Sequence, residues 1–137
     1  MCYWKLNYDA MIQDRMPLTL EITREGQLLK MGIFDHREPS ATLRHYSQHR
    51  VDFSEIGRLC QEATLFLSKP SLQEPALLKG FEKTLYALWD HLLTRSVKEK
   101  LQERVDLDLL LEIDEELIFI PWELIFDGNN FFCLNFN

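Results

Sequence analysis

Apolar and polar residues alternate with a period of two near the start of the chain, over Leu18–Thr23. This period predicts a half-buried strand. Glu25-Gly26 supplies a turn, and residues 28–34 are predicted to form a returning strand in which Gly32 is a candidate bulge. The pattern therefore predicts a β-hairpin.

Two longer segments change to the helical period. The first follows Asp52, which forms a capping-box pattern with Glu55, and Pro70 ends it. Its apolar positions are Phe53, Ile56, Leu59, Cys60, Ala63, Phe66 and Leu67. Pro75 is well placed as the first residue of a second helix. The apolar positions of that helix are Leu77, Leu78, Phe81, Leu85, Leu88, Trp89 and Leu92.

Shorter segments flank these helices. Ser96 and Glu99 form a second capping-box pattern, which predicts a short helix to about Glu103. Residues 35–50 are polar and are predicted to be a loop.

The end of the sequence is rich in apolar residues. Residues 107–114 (LDLLLEID) alternate, but Leu110 is apolar on the second face, which predicts a central strand covered on both sides. Pro121 ends any strand pairing after the apolar run 117–120. Residues 131–136 (FFCLNF) are predicted to form a strand, and a bare apolar strand needs cover. We therefore expect another polypeptide, or a longer form of this one, to complete the sheet.

Composition and charge exclude several classes of protein. The net charge of −7 argues against nucleic acid as a partner. No apolar run approaches the roughly 20 residues of a membrane span, and the first residues lack the order of a signal peptide. The three cysteines have no C-x-x-C spacing, which favours a reducing, cytoplasmic setting.

The order of these elements resembles the front half of CHAT domains, which are bacterial relatives of caspases and separases. Residues 107–114, 117–128 (LIFIPWELIFDG) and 131–136 carry the resemblance, with a looser match upstream from Pro17. The resemblance implies a three-layer caspase-like α/β fold. Residues 17–137 would be its N-terminal part, after an irregular segment 1–16.

The same resemblance implies a cysteine endopeptidase acting on a protein substrate, without a cofactor. Family members place the catalytic His and Cys after later strands, so no catalytic residue is assigned here. A complementing polypeptide would carry both. It could arise by autoprocessing, and relatives often act in bacterial defence.

Five residues form the structural motif of the resemblance: Pro121, Trp122, Glu123, Asp127 and Gly128. Trp122 should bury its ring and find a partner for its indole N–H. Glu123 should accept backbone donors or pair with a basic side chain. The residues 127–130 (DGNN) predict a turn with positive φ.

The cysteines and histidines do not form a predicted dyad. Cys60 and Cys133 are both predicted to be core residues, Cys2 lies near the start of the chain, and His91 lies at the edge of a helix face. The other histidines are His36, His45 and His49. His45 and His49 have an i,i+4 spacing, but no acid or cysteine joins them at motif spacing, so no metal site is predicted.

An acidic run, residues 106–116, is predicted to face solvent or a partner, with Asp106, Asp108 and Glu112 sharing one face. The alternative to a peptidase part is a non-enzymatic module that binds another protein by strand addition.

Overall fold

The computed structural model describes residues 17–35, 45–103 and 108–136, with only the backbone of His45. The strands are β1 (Leu18–Glu25), β2 (Leu28–Asp35), β3 (His45–Arg50) and β4 (Leu109–Ile113). The helices are α1 (Phe53–Leu67), α2 (Pro75–Leu92), α3 (Arg95–Glu103) and the short α4 (Phe132–Asn135). Two 3₁₀ turns, Glu115–Leu117 and Trp122–Leu124, lie between β4 and α4. The protein is therefore a mixed α/β fold, as the sequence predicts.

The four strands form one sheet in the order β3-β2-β1-β4. β1 pairs antiparallel with β2 and parallel with β4, and β2 pairs antiparallel with β3. The prediction that residues 107–114 form a central strand is wrong for the described sheet, because β4 lies at its edge. Leu110, which suggested cover on both faces, is 51% exposed.

The predicted hairpin is confirmed, with Gly26-Gln27 as its two-residue turn and a φ of 62° at Gly26. Gly32 is not a bulge, since it pairs in continuous register with Glu21. A Cβ atom at Gly32 would lie 3.0 Å from Cε1 of Tyr46 on β3. The missing side chain therefore makes room for the tyrosine ring.

Part of the predicted loop 35–50 is a strand. β3 pairs with β2 from Leu28 opposite Arg50 to Ile33 opposite His45. Its polar sequence has no strand period strong enough to indicate this, and the pairing with β2 supplies the missing stabilisation. Residues 36–44 lie outside the described residues.

The helix boundaries follow the local signals closely. The Asp52 carboxylate accepts the backbone N–H groups of Ser54 at 3.0 Å and Glu55 at 3.4 Å, which caps α1. Glu55 pairs with Arg58 instead of returning to the cap. α2 begins at Pro75, as predicted. The capping box predicted at Ser96 is wrong, because α3 begins at Arg95 and Glu99 pairs with the Arg95 side chain.

The prediction of a strand over residues 131–136 is wrong. Phe131 forms only an isolated bridge with Phe126, and the chain then turns into α4. Phe132 and Phe136 are buried and meet edge to face at 5.7 Å between ring centroids. Their i,i+4 spacing is the spacing of one helix face, so burial on that face explains the aromatic run.

The core lies on one side of the sheet. Leu18, Leu20 and Ile22 of β1 are fully buried and belong to the same apolar cluster as the inner faces of α1, α2 and α3. Within the described ranges, no helix is long and apolar enough to cross a membrane.

Candidate interaction site beside strand β4

Strand β4 has one edge whose backbone groups pair with no described residue. On its inner edge, the Leu18 N–H donates to the Asp108 carbonyl at 2.8 Å, and the Asp114 N–H donates to the Ile22 carbonyl at 3.2 Å. In a parallel ladder, alternate residues direct their N–H and C=O groups to the same neighbour. The intervening residues therefore point away from β1. These outward backbone groups, the β4 edge, belong to Leu109, Leu111 and Ile113.

An apolar cavity of about 430 Å³ lies beside this edge. We call it the β4 groove. It is lined by Leu109, Leu111, Trp122, Glu123, Phe132, Cys133 and Phe136. Leu109 and Leu111 lie opposite Leu18 and Leu20 in the register, so they are on the core side of the sheet. A strand added next to β4 would place alternate side chains over this groove.

The Trp122 corner shapes the wall of the groove. Trp122 is buried, and its indole N–H donates to the Leu117 carbonyl at 3.0 Å, which provides the partner expected for a buried indole. Trp122 begins a 3₁₀ turn directly after Pro121. The corner therefore joins the 3₁₀ turns Glu115–Leu117 and Trp122–Leu124. The buried Trp122 ring lines the groove together with residues of α4.

Asp127 closes the following turn. Its Oδ1 atom accepts the backbone N–H groups of Asn129 and Asn130, both at 2.8 Å. Its Oδ2 atom accepts the Asn135 side-chain N–H at 2.9 Å, which ties the turn to α4. Gly128 has a φ of 102°, in the region that favours glycine. The turn predicted at residues 127–130 is therefore confirmed.

Glu123 does not have the role expected from the sequence. Its side chain is exposed, and it makes no hydrogen bond or ion pair with a described residue. Trp122 and Asp127 hold the corner without it. The Glu123 carboxylate instead lies at the rim of the β4 groove.

The charges on β4 and its groove are all negative. Asp108 and Glu112 are exposed and, like Glu123, form no ion pair with a described residue. Arg24 stands at the end of β1, but its guanidinium lies 3.6 Å from the Phe53 ring centroid and donates to the Gly26 carbonyl. The face predicted for Asp108 and Glu112 is confirmed, whereas Asp106 lies outside the described residues.

The two described cysteines differ from each other. Cys60 is a core residue, as predicted, and its burial raises the pKa of its thiol to about 11. The core prediction for Cys133 is wrong, because α4 turns its side chain outward into the β4 groove. Neither thiol has a histidine partner among the described residues.

The described histidines do not form a metal site. His49 lies on β3, so its spacing from His45 is that of a strand and not of a helix face. The His49 ring donates through Nε2 to the His91 carbonyl at 2.9 Å. The described part of the chain has no group of three or more His, Cys, Asp or Glu residues that could hold a metal ion. His36 and Cys2 lie outside the described residues.

Sequence reasoning located the segment that forms the site but not the site itself. The signal that could have revealed it is Leu110 between Asp108 and Glu112, because this mixed face is typical of an exposed edge strand. No local sequence pattern predicts the groove, because it forms only when Phe132–Asn135 adopt α4 in place of the predicted strand.

Comparison with known protein families finds no family that matches the chain, and no curated protein matches it either. The fold and the site define a class: a mixed α/β protein in which one sheet edge pairs with no described strand and lies beside an apolar groove with a carboxylate at its rim.

Proposed function

We propose that this chain is the N-terminal, non-catalytic portion of a CHAT-type cysteine endopeptidase. It supplies strands and helices to an active site that a second polypeptide segment completes. That segment carries the catalytic His and Cys and adds its first strand to the β4 edge.

The observation that supports this proposal best is the β4 edge beside the β4 groove. Leu109, Leu111 and Ile113 present backbone donors and acceptors in a row, and the groove accepts apolar side chains from the same added strand. Unpaired sheet edges are normally covered or paired. Strand addition supplies both the backbone pairing and the side-chain pockets.

The docking position differs from the one expected from the sequence. Phe132–Asn135 form α4, so residues 131–136 offer no strand for pairing. β4 takes over that role, because it is the edge strand of the described sheet and its outward backbone groups pair with no residue of the described ranges.

The resemblance of residues 117–128 to the Pro-Trp-Glu turn of CHAT domains supports the peptidase part of the proposal. In a complete three-layer domain, a strand added at the β4 edge extends the sheet beyond β4. The reaction is attack of a cysteine thiolate on a peptide carbonyl, with His as the proton acceptor and backbone amides at the oxyanion.

The residues of this chain also agree with a scaffold role. The raised pKa of Cys60 keeps its thiol protonated at neutral pH, which is the opposite of nucleophile activation. Cys133 is exposed but has no described base beside it. The nucleophile is therefore assigned to the second segment.

The second candidate is a non-enzymatic module that binds a partner by strand addition. The same β4 edge favours it, because edge pairing needs no catalytic residue. The two candidates differ in whether the added segment carries a reactive cysteine.

The test uses the polypeptide encoded by the full reading frame, treated with a peptidyl electrophile that alkylates catalytic cysteines. We expect a labelled cysteine outside residues 1–137, identified by peptide mass spectrometry. Labelling only at Cys60 or Cys133, or at no cysteine, overturns the peptidase proposal in favour of the interaction module.

A matched pair of variants tests the docking position. Leu111→Ala and Leu111→Pro both lose the leucine side chain, but only proline also loses the outward N–H. We expect Leu111→Pro to lower labelling about tenfold below Leu111→Ala, the effect of one lost hydrogen bond. Equal labelling of the two variants contradicts docking at the β4 edge.

A further inference from the structure

We propose that the segment added to β4 is basic as well as apolar, with Lys or Arg beside Glu112. This inference rests on the proposed function, which supplies an added strand, and it specifies the chemistry of that strand.

The two faces of the added strand meet different surroundings. The side chains on its core side meet the β4 groove, where Leu109, Leu111 and Phe136 are apolar. The side chains on its other side meet the face of β4 that carries Leu110 and Glu112. The strand therefore alternates apolar residues with residues suited to an acidic, partly apolar face.

The charges on β4 determine which side chains of the added strand suit the face that carries Leu110 and Glu112. Glu112 is exposed on this face and makes no hydrogen bond or ion pair with a described residue, so its carboxylate lies next to the added strand. Asp108 adds a second carboxylate to the same face, next to the start of β4. Directly opposed like charges destabilise a sheet, and opposite charges stabilise it. A cation beside Glu112 is the complementary choice.

The same charges argue against a second copy of this chain as the occupant. Pairing of two β4 strands would bring the carboxylates of both copies onto shared faces, without any basic residue from β4. Acidic edges of this kind prevent self-association. The occupant is thus a different sequence.

The test measures binding of synthetic peptides of about seven residues, enough to span the five residues of β4. One peptide alternates valine with lysine, and the second alternates valine with glutamate. Both carry a fluorophore, and anisotropy is measured with the purified chain. We expect the lysine peptide to bind at least about fivefold more tightly at low salt. The difference should shrink at about 1 M salt.

Variants connect this preference to the site. Glu112→Lys with Asp108→Lys should reverse the preference, whereas Glu74→Lys, an exposed change directly before α2, should leave it unchanged. Protection of Cys133 from alkylation by the bound peptide locates the peptide in the β4 groove, with the buried Cys60 as the internal reference.

The outcomes separate the two proposals. Equal binding of both peptides, with Cys133 protected, overturns the basic-segment inference and leaves strand docking in place. If neither peptide protects Cys133 and Leu111→Pro behaves like Leu111→Ala in the full polypeptide, docking at β4 fails as well. A dimer of the chain held by β4 pairing also overturns the inference.

Discussion

The indole N–H of Trp122 donates to the carbonyl of Leu117 at 3.0 Å, inside the core. The two residues belong to consecutive 3₁₀ turns, and this bond joins the turns together with the Ile120 N–H, which donates to the same carbonyl at 3.2 Å. The Trp122 ring also lines the β4 groove. A substitution at this corner should therefore affect both the stability of the fold and the proposed docking site.

Trp122→Phe should lower the free energy of unfolding by about 0.5–1.5 kcal/mol, because the Leu117 carbonyl loses the indole donor and keeps only the Ile120 N–H. Trp122→Ala should cost more, about 3–5 kcal/mol, since it also leaves a cavity. Urea unfolding measures both values. The exposed neighbour Glu123→Gln serves as the control and should stay within about 0.5 kcal/mol of the parent. A Trp122→Phe variant as stable as the parent contradicts the role of this hydrogen bond.

Asp127→Ala should destabilise the protein by about 1.5–3 kcal/mol, because three N–H donors lose a charged acceptor. Asp127→Asn keeps an acceptor for the turn and should cost less, about 1 kcal/mol. Hydrogen exchange at the amides of Asn129 and Asn130 should speed up most in the alanine variant. Unchanged exchange at these two amides would count against the turn as the link to α4.

Gly80→Ala tests the packing of α2 against α1. A Cβ atom at Gly80 would lie 2.8 Å from Cζ of Phe66, whose ring is also held by Phe81 and Lys69. Alanine gains about 1 kcal/mol of helix propensity, but we expect the overlap to outweigh it, with a net loss of about 1 kcal/mol. In a Phe66→Leu background the same change should become stabilising. A double-mutant cycle measures this coupling, and a sign that is the same in both backgrounds refutes it.

The cysteines should differ in alkylation rate at neutral pH. Cys133 is exposed, whereas Cys60 is buried with a pKa of about 11, so iodoacetamide should modify Cys133 first. Mass spectrometry of timed digests gives both rates. In urea the two rates should converge, which provides the control; comparable rates in the folded protein would contradict the assigned burial.

The Cys60 thiol also predicts a pH dependence of stability. Its folded-state pKa is raised from 9.0 to about 11, so folding favours the protonated thiol. This contribution is fully present below about pH 9 and is lost as the pH rises toward 11. Between these values, the parent should lose more stability than Cys60→Ala. Parallel slopes for the two proteins would show that Cys60 does not titrate in this way.

The sequence located most elements because their signals are local. The Asp52 cap and the position of Pro75 set helix starts through hydrogen bonding and fixed backbone angles, without help from distant residues. The alternation at Leu18–Thr23 identified β1 in the same way. β3 was missed because its pairing with β2, and not its own composition, makes it a strand.

The candidate site was predictable only in part. The segment after β4 and its turn at Asp127 were identified, but the aromatic run 131–136 fits either a strand or one face of a helix. Contact of Phe132 with Trp89, at 5.6 Å between centroids, selects the helix, and Trp89 is distant in sequence.

By itself, the sequence determined the starts of α1 and α2, the hairpin, the turn at Asp127 and the acidic face of Asp108 and Glu112, because caps, turns and periodicity act over a few residues. Only the tertiary structure decided that β4 lies at the edge, that α4 replaces a strand, and that Cys133 faces a groove. Those features depend on which surfaces remain after distant elements pack, and no local pattern encodes that outcome.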